Sequence, residues 1–428
     1  MAPTVGARGV PRQGWSPMGY RALAGPVRGH GRDAWLYIVY SFGSGIGLGF
    51  IQVLLGLYVL SVGFGESFLA TIEVVIALSS ASCSFVAGVV IDRFGTRAAL
   101  LVSAVALAGG RFLLVAFPST GAMLGGVAVM ASGIAFYWVS QGVVLFRLST
   151  ATAASLFGLN WTLYTLSSFL GGIIAGVPPG VLGPALGLPS DGADVYRYTI
   201  WVGVAVTTVA SLPLLWMDSG RGFLHTPGAR QAFWKVDEPR RVLRLLIPVA
   251  TIATTIGFTA PFLSVFLAGQ YNASTSRIGF VIGMFALVGS IGGLIGPWLR
   301  RRFGPVRAIS GLLVASAPML LLVGYAPGLG AASVALWGRG VLGNAAWPLT
   351  LSHLMESVPE SQRGRVSALM NISFELSLAS ATLPAGLLME HVDYRLPHAL
   401  AAVALIVGGL GFAYAWRGEA AHPTERAG

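Results

Sequence analysis

Apolar segments of about 20 residues recur twelve times along the chain, each long enough to cross a ~30 Å hydrocarbon layer at ~1.5 Å per residue. That length predicts helices. The strands of a membrane barrel run to about ten residues and alternate in polarity. Only 10% of the 428 residues are charged and 55% are hydrophobic, whereas a soluble domain carries roughly a quarter charged residues. A water-soluble fold is excluded, and the expected class is an all-α membrane protein.

Gly, Pro and charged residues bound the predicted spans at 35–61, 67–90, 98–117, 121–146, 152–177 and 196–217, then 242–267, 278–299, 306–325, 330–355, 365–389 and 396–416. The pattern gives two bundles of six, 34–217 and 242–417, joined by a linker over 218–241, with tails at 1–33 and 418–428. The net charge of +11 does not point to nucleic acid, because the basic residues sit in short loops between spans. With the N-terminus cytoplasmic, that side holds 22 Lys and Arg, and the other side only Arg197, Arg277 and Arg395. The asymmetry predicts both termini in the cytoplasm. The Arg-rich, acid-poor start reads as a cytoplasmic tail, with an organelle transit peptide as the alternative. In the linker, Phe233, Trp234 and Lys235 suit either a short interfacial helix or a plain loop. Cys83, the single cysteine, lies inside a span, so no internal disulfide is possible.

The two bundles repeat one another. The loop after the second span runs Gly88, Val89, Val90, Ile91, Asp92, Arg93, Phe94, Gly95, Thr96, Arg97; the loop after the eighth contains Arg300, Arg301, Arg302, Phe303, Gly304, Pro305, Arg307. Arg-Phe-Gly is common to both. A second echo, Gly158, Leu159, Asn160 against Leu369, Met370, Asn371, opens the fifth and eleventh spans. Repeated six-helix halves are the architecture of carriers whose site lies between them.

On these residues the chain resembles the major facilitator superfamily of secondary transporters, over nearly all of 34–417. Gly88, Asp92, Arg93, Gly95 and Arg97 match that family's signature between the second and third spans, and Pro359 to Arg365 resembles its usual connection into the eleventh. The resemblance implies two pseudo-symmetric bundles of six transmembrane helices each. It also implies a gating role for this loop, which latches the halves on the cytoplasmic side. Gly95 suits a tight turn, Gly88 a close helix approach, and Asp92 the positive N-terminal end of a neighbouring helix. Arg93 and Arg97 also serve topology. Arg301 stands where the first loop has Asp92, and Arg147 ends the fourth span where an acid is usual, so the latch is not symmetric. Glu356 and Glu360 are expected to pair with the cluster Arg300 to Arg302.

Ionisable residues at membrane depth cost several kcal/mol and are functional candidates. Glu375 and Arg339 lie near mid-depth of the eleventh and tenth spans, and are expected to pair on adjacent antiparallel helices. A carboxylate that alternates between an Arg and a proton would couple transport to a proton gradient; a permanent structural ion pair is the plainer reading. Arg339 with Gly343 resembles a pattern that the family's proton-linked exporters carry in the fourth span. There, this chain has Trp138 in the place of that Arg, which weakens an exporter assignment. Glu73 and Arg111 form a second expected pair, nearer the outer face and more simply structural.

The resemblance assigns the cavity to the first, fourth, seventh and tenth spans, with the fifth, eighth and eleventh contributing. It thereby gathers Tyr40, Gln52, Tyr137, Trp138, Gln141, Asn160, Trp161 and Tyr164 from the first half. The second half adds Thr255, Thr259, Trp337, Arg339, Asn344, Trp347, Asn371 and Glu375. Aromatics with a few amides and hydroxyls suit an amphipathic or aromatic organic solute. Gly43, Gly45, Gly47 and Gly49 form two interleaved Gly-x-x-x-Gly pairs that admit a neighbouring helix or a bend. The cluster Gly176, Pro178, Pro179, Gly180 reads as the end of the fifth helix.

No metal-ligand cluster, phosphate loop or nucleophile and base constellation emerges, so no cofactor and no enzyme activity is expected. The expected function is secondary active transport of a small organic solute, proton-coupled and more consistent with export than with uptake. The expected protein is monomeric, sits in the lipid bilayer of the plasma or inner membrane, and binds no nucleic acid. A polytopic enzyme on lipid-linked substrates would need acid or His clusters at one membrane face. A receptor-like protein that keeps the carrier fold is the other alternative.

Overall fold

The structure, a computed structural model, describes residues 31–148, 153–218, 239–359 and 362–417. The segment at Phe233 to Lys235, Glu360 and both tails as predicted, save their innermost residues, lie outside these. The first half contains α1 (Arg32–Ser61), α2 (Glu66–Phe94), α3 (Thr96–Ala116), α4 (Thr120–Leu148), α5 (Ala153–Leu186) and α6 (Ala193–Ser211), the last continued by a 3-10 turn, Leu212–Trp216. In the second half α7 (Pro239–Thr259) with α8 (Leu263–Tyr271) make the seventh span, and α9 (Thr275–Gly289) with α10 (Ile291–Phe303) the eighth. The last four are α11 (Pro305–Tyr325), α12 (Leu329–Glu356), α13 (Arg363–His391) and α14 (Leu396–Ala415). Eleven spans are long and apolar enough to cross a membrane; α12, which carries Arg339, completes the twelve. This is the major facilitator fold.

The repeated loops have one geometry. Gly95 has φ 88° and ψ 169°, Gly304 φ 78° and ψ 164°, a region that a Cβ makes costly. Each glycine ends one helix and begins the next with no intervening loop. The breaks in spans seven and eight have local causes. Pro261 lacks an N–H and disfavours helix in the residue before it, and in span eight the ladder tightens at Ser290, whose N–H turns to the Leu287 carbonyl at 3.3 Å. The expected end of the fifth helix at Gly176 to Gly180 is not one: α5 continues through Pro178, Pro179 and Pro184 to Leu186.

Helix contacts run through small residues. Gly45 and Gly49 of α1 face Ser167 and Ser168 of α5, while Gly43 and Gly47 face Ala210 and Thr207 of α6. The four glycines therefore serve two neighbours, one pair each. Gly126 of α4 packs on the backbone of α3, where a Cβ would stand 2.6 Å from the Leu114 nitrogen.

Among the described residues, the hydrogen bonds that join the two halves all lie at the face opposite the chain ends. Ser276 Oγ donates to the Gly176 carbonyl at 2.8 Å, Tyr196 pairs with Thr275 at 3.2 Å, the Ser67 N–H donates to Glu390 at 2.8 Å, and Tyr394 donates to Glu66. Gly172 and Gly176 of α5 lie backbone to backbone against Gly279 and Gly283 of α9, and Gly386 of α13 meets Ala70 of α2. An apolar plug from both halves, including Phe50, Tyr58, Phe262 and Phe266, fills the space beneath. Toward the face that carries the chain ends, the apolar cores separate into the first half and the second. Among the described residues, the halves meet at the far face and their cores stand apart at the terminal face.

A Leu at Gly279 cannot fit against α5, and overpacking of this kind costs about 1–3 kcal/mol. In Gly279→Leu, a cysteine at Val265, which is buried in the plug, is expected to react with a membrane-impermeant maleimide roughly tenfold faster, since 1.4 kcal/mol is tenfold in population. The assay uses a Cys83→Ser background, and an unchanged labelling rate refutes the seam.

Candidate functional site

The cleft that opens at the terminal face is floored in the first half by aromatic residues from α4 and α5. Tyr137 stacks on Tyr164 with ring centroids 5.9 Å apart, Trp138 meets Tyr164 at 5.8 Å, and Trp161 meets Trp138 at 6.4 Å. Trp138 and Trp161 are 41% and 55% exposed, the two open faces of this cluster. Tyr40 and Tyr137 stand behind them and are buried. Tyr40 donates to Ser103 Oγ at 3.0 Å, and Tyr137 shares a 2.8 Å bond with Ser41, so both brace the bundle from within rather than line the cleft. Gln52 is exposed and Gln141 half-buried. Asn160 is 1% exposed, and neither its Oδ1 nor its Nδ2 has a partner in the protein.

The second half contributes less. Thr255 and Thr259 are buried and return their hydroxyls to the carbonyls of Thr251 and Thr255, one turn back in α7. Trp337 donates to the Val281 carbonyl at 3.0 Å and Asn344 to the Gly340 carbonyl at 3.0 Å, tying α12 to α9 and to itself. Trp347 meets Phe374 of α13 at 5.4 Å. Asn371 is exposed and Glu375 half-buried.

The expected Glu375 and Arg339 pair is absent. The Trp347 and Phe374 contact sets the register of α12 and α13: Arg339 lies eight residues outward of Trp347, Glu375 one residue outward of Phe374. Their depths differ by about 10 Å at ~1.5 Å per residue. The helices are 28 and 29 residues long, well beyond the minimum span, so counting inward from opposite ends brought the two charges to a false common level. Arg339 Nε is buried without a partner. Glu375 stands three turns below Gly386, on the helix face that packs against α2, and so looks across the cleft between the halves.

Glu73 and Arg111 do not pair either. Glu73 shares a face of α2 with Glu66 and Ala70, which meet α13, whereas Arg111 turns into the first half and donates to Thr207 Oγ1 at 3.2 Å. Arg111 instead lines a cavity of about 110 Å³ with Ser44, Tyr137, Trp138 and Tyr164. The sequence marked Arg111 as an ionisable residue at depth; what it could not show is which neighbour the helix rotates it toward. Among the described residues, Arg111 and Arg339 pair with no carboxylate, and Glu73 and Glu375 pair with no cation.

At the terminal face, Gly88 has open space around its Cα and Asp92 is exposed without a described partner. The expected close helix approach at Gly88 is therefore not made in this state. Arg93 lies over Phe94, and Arg97 donates to the Leu215 carbonyl. Arg147 pairs with Asp33 of α1 at 3.6 Å, within its own half. In the second half Arg300 forms a two-pronged pair with Glu356, as expected. At the far face, burial followed by the hydrogen-bonded Glu66 carboxylate pushes the Tyr394 phenol up from its ordinary value, so it stays a donor to Glu66 at neutral pH.

A wide surface groove of about 670 Å³ on α3 and α4 is lined by apolar groups such as Val102, Val105 and Phe112, which suits acyl chains and not a polar solute.

Residues 245–428 match the sequence profile of the Major Facilitator Superfamily. That match spans the second half of the chain. Its fold superposes on the crystal structure of the nucleoside transporter NupG with a TM-score of 0.72, at 12% identity over 90% of this chain and 99% of that one. A bacterial homologue of the human lysosomal transporter Spinster, inward-facing and unoccupied, gives 0.68 at 14% identity over 89% and 96%. A proton-dependent oligopeptide transporter gives 0.72 at 12% over 91% and 99%. No protein of curated function matches the sequence. The likeness at these identities shows the fold alone, and that fold with its apolar spans makes the chain an integral membrane protein.

Leaving a buried polar group unpaired costs about 1–3 kcal/mol. Asn160→Leu, of similar volume, is accordingly expected to raise the melting temperature of the ligand-free protein in detergent. A lowered melting temperature with unchanged monodispersity would show that the amide is satisfied in the resting carrier.

Proposed function

We propose that the protein is a secondary active carrier that expels a small organic solute in exchange for protons by alternating access. The observation that carries this reading is the one-sided closure of the two halves around a wet, aromatic-floored cleft. The charge bias of the loops makes the terminal face cytoplasmic, so the structure corresponds to the inward-open state. The inner latch is then Asp92 with Arg93 and Arg97, released here and engaged when the cytoplasmic ends meet. The outer latch, Glu66 with Tyr394 and Glu390 with the Ser67 N–H, breaks in the same movement.

Glu375 is the coupling residue of this scheme. When the cytoplasmic ends close, its carboxylate is carried against α2, out of water, where an unpaired charge costs several kcal/mol. With Arg339 about 10 Å away in depth, a proton is what neutralises it. Solvent reaches it from the cytoplasm in the present state and from outside after the halves rock. Glu73, two turns beneath the outer latch on the facing helix, is the second carboxylate of the same seam. The exposed indoles of Trp138 and Trp161 supply a flat apolar surface for the solute and favour export of amphipathic compounds.

A thermal-shift screen of the purified protein against a metabolite and drug library supplies the ligand for a direct test. In inside-out vesicles with an acidic lumen, wild type is expected to accumulate that ligand. Glu375→Gln is expected to lose the gradient-driven accumulation while keeping ligand counterflow. Equal accumulation by the variant removes Glu375 from coupling, and accumulation only in right-side-out vesicles reverses the direction.

A further inference from the structure

Arg111 is 6% exposed, and its one hydrogen bond in the protein is to the Thr207 hydroxyl; the Nε is buried with no partner. The titratable groups that act on it are the phenols Tyr164 and Tyr40. Among the described residues no carboxylate pairs with it: Glu66 is turned to Tyr394, Asp33 to Arg147, and Glu73 toward α13, while Asp92, Asp191 and Asp194 lie near the helix ends. A cation held at membrane depth with no anion costs several kcal/mol and is uncommon unless something else supplies the charge.

The place is built for the guanidinium. Gly47 of α1 leaves the room it occupies, since a Cβ there would lie 2.8 Å from Nη1 and 3.0 Å from Nη2. The guanidinium borders the 110 Å³ cavity beneath the aromatic floor, together with Ser44, Tyr137, Trp138 and Tyr164. At about 30 Å³ per water, this is the volume of three or four waters, enough for a charged head and the first atoms behind it. Trp138, which lines the cavity, is itself 41% exposed, so a body attached to that head has a way out past this indole.

Resting on the carrier reading above, we propose that Arg111 and this aromatic floor bind the carboxylate of a small aromatic monocarboxylate. One guanidinium and a hydroxyl match one negative charge and two oxygens. Leu48, Ile51, Leu107, Met130 and Ile134, which make up most of the remaining wall, offer nothing to the second charge of a phosphate. The indole and phenol faces above accept a planar ring.

The test uses benzoate, phenylacetate, benzamide and phenyl phosphate on the purified full chain, reading thermal stabilisation and quenching of tryptophan fluorescence. Benzoate or phenylacetate is expected to stabilise wild type, and benzamide and phenyl phosphate are not. A charge-assisted hydrogen bond contributes enough that Arg111→Gln should weaken the carboxylate about tenfold or more, with Arg111→Lys falling between. Because the cation has no protein counter-ion, Arg111→Gln is expected to keep or raise the ligand-free melting temperature. A merely structural Arg111 would lower that temperature and leave the preference for carboxylate over amide intact. The proposal is overturned if benzamide or phenyl phosphate matches the carboxylates, if Arg111→Gln binds them unchanged, or if none of the four stabilises wild type. If benzamide alone stabilises, and Trp138→Ala abolishes it, the anion is wrong while the aromatic carrier site stands.

Discussion

Close helix approach without side chains in the way is the constraint on which the remainder of this structure rests. Within lipid no hydrophobic force drives helices together, so their contact relies on van der Waals packing of backbones that small residues expose. The chain applies the same device in two places with opposite permanence. Inside the first half, Gly45 and Gly49 against α5 fix a rigid bundle. Between the halves, Gly172 and Gly176 against Gly279 and Gly283 form a joint with few side chains to interdigitate, so these two helices part easily and the main resistance to separation is the apolar plug beneath them. Rigid halves and a separable seam are what a rocking movement requires.

The seam also explains where the charges are. Polar partners across it are few and sit at its far edge, where Glu66, Tyr394 and Glu390 tie α2 to α13. Going inward along the same two helices, Glu73 and then Glu375 follow, each without a cation. On the carrier reading proposed above, two carboxylates along one moving interface would change hydration between the two states, which is what protons need in order to follow the movement. The arginines lie off this line, Arg111 within the first half and Arg339 within the second, and so are suited to hold a ligand's charge rather than to shuttle with the acids.

Much of this was legible in the residues because lipid imposes simple rules. The spans of the sequence agree with the helices within a few residues, since Gly, Pro and charge mark where the apolar runs stop. The exception is α5, where Pro178 and Pro179 read as a terminator but occupy a helix that neighbouring helices support. Rotation about the helix axis was the hard quantity. Depth alone suggested Glu73 with Arg111 and Glu375 with Arg339, and rotation or register parts both pairs. Thr255 and Thr259 were misplaced for a related reason: in a helix a threonine hydroxyl can satisfy itself on the preceding turn, so its presence says little about a cavity.

The repeat makes the division between scaffold and site explicit. Gly95 and Gly304 stand 209 residues apart, as do the starts of α2 and α9, Glu66 and Thr275, and of α4 and α12, Thr120 and Leu329. The same interval carries Trp138 onto Trp347, one aromatic in each half at the matching place. It carries Arg111 onto Leu320 and Arg339 onto Met130, so neither cation has a counterpart. Backbone geometry and bulk are duplicated, and so is the loop arginine Arg93 in Arg302, but charge at membrane depth is not. A symmetric pair of halves explains how the cleft opens to either side, but it offers a solute no preferred orientation. The unmatched arginines provide one, and the cavity wall shows it directly, where Met130 of α4 faces the same space as Arg111.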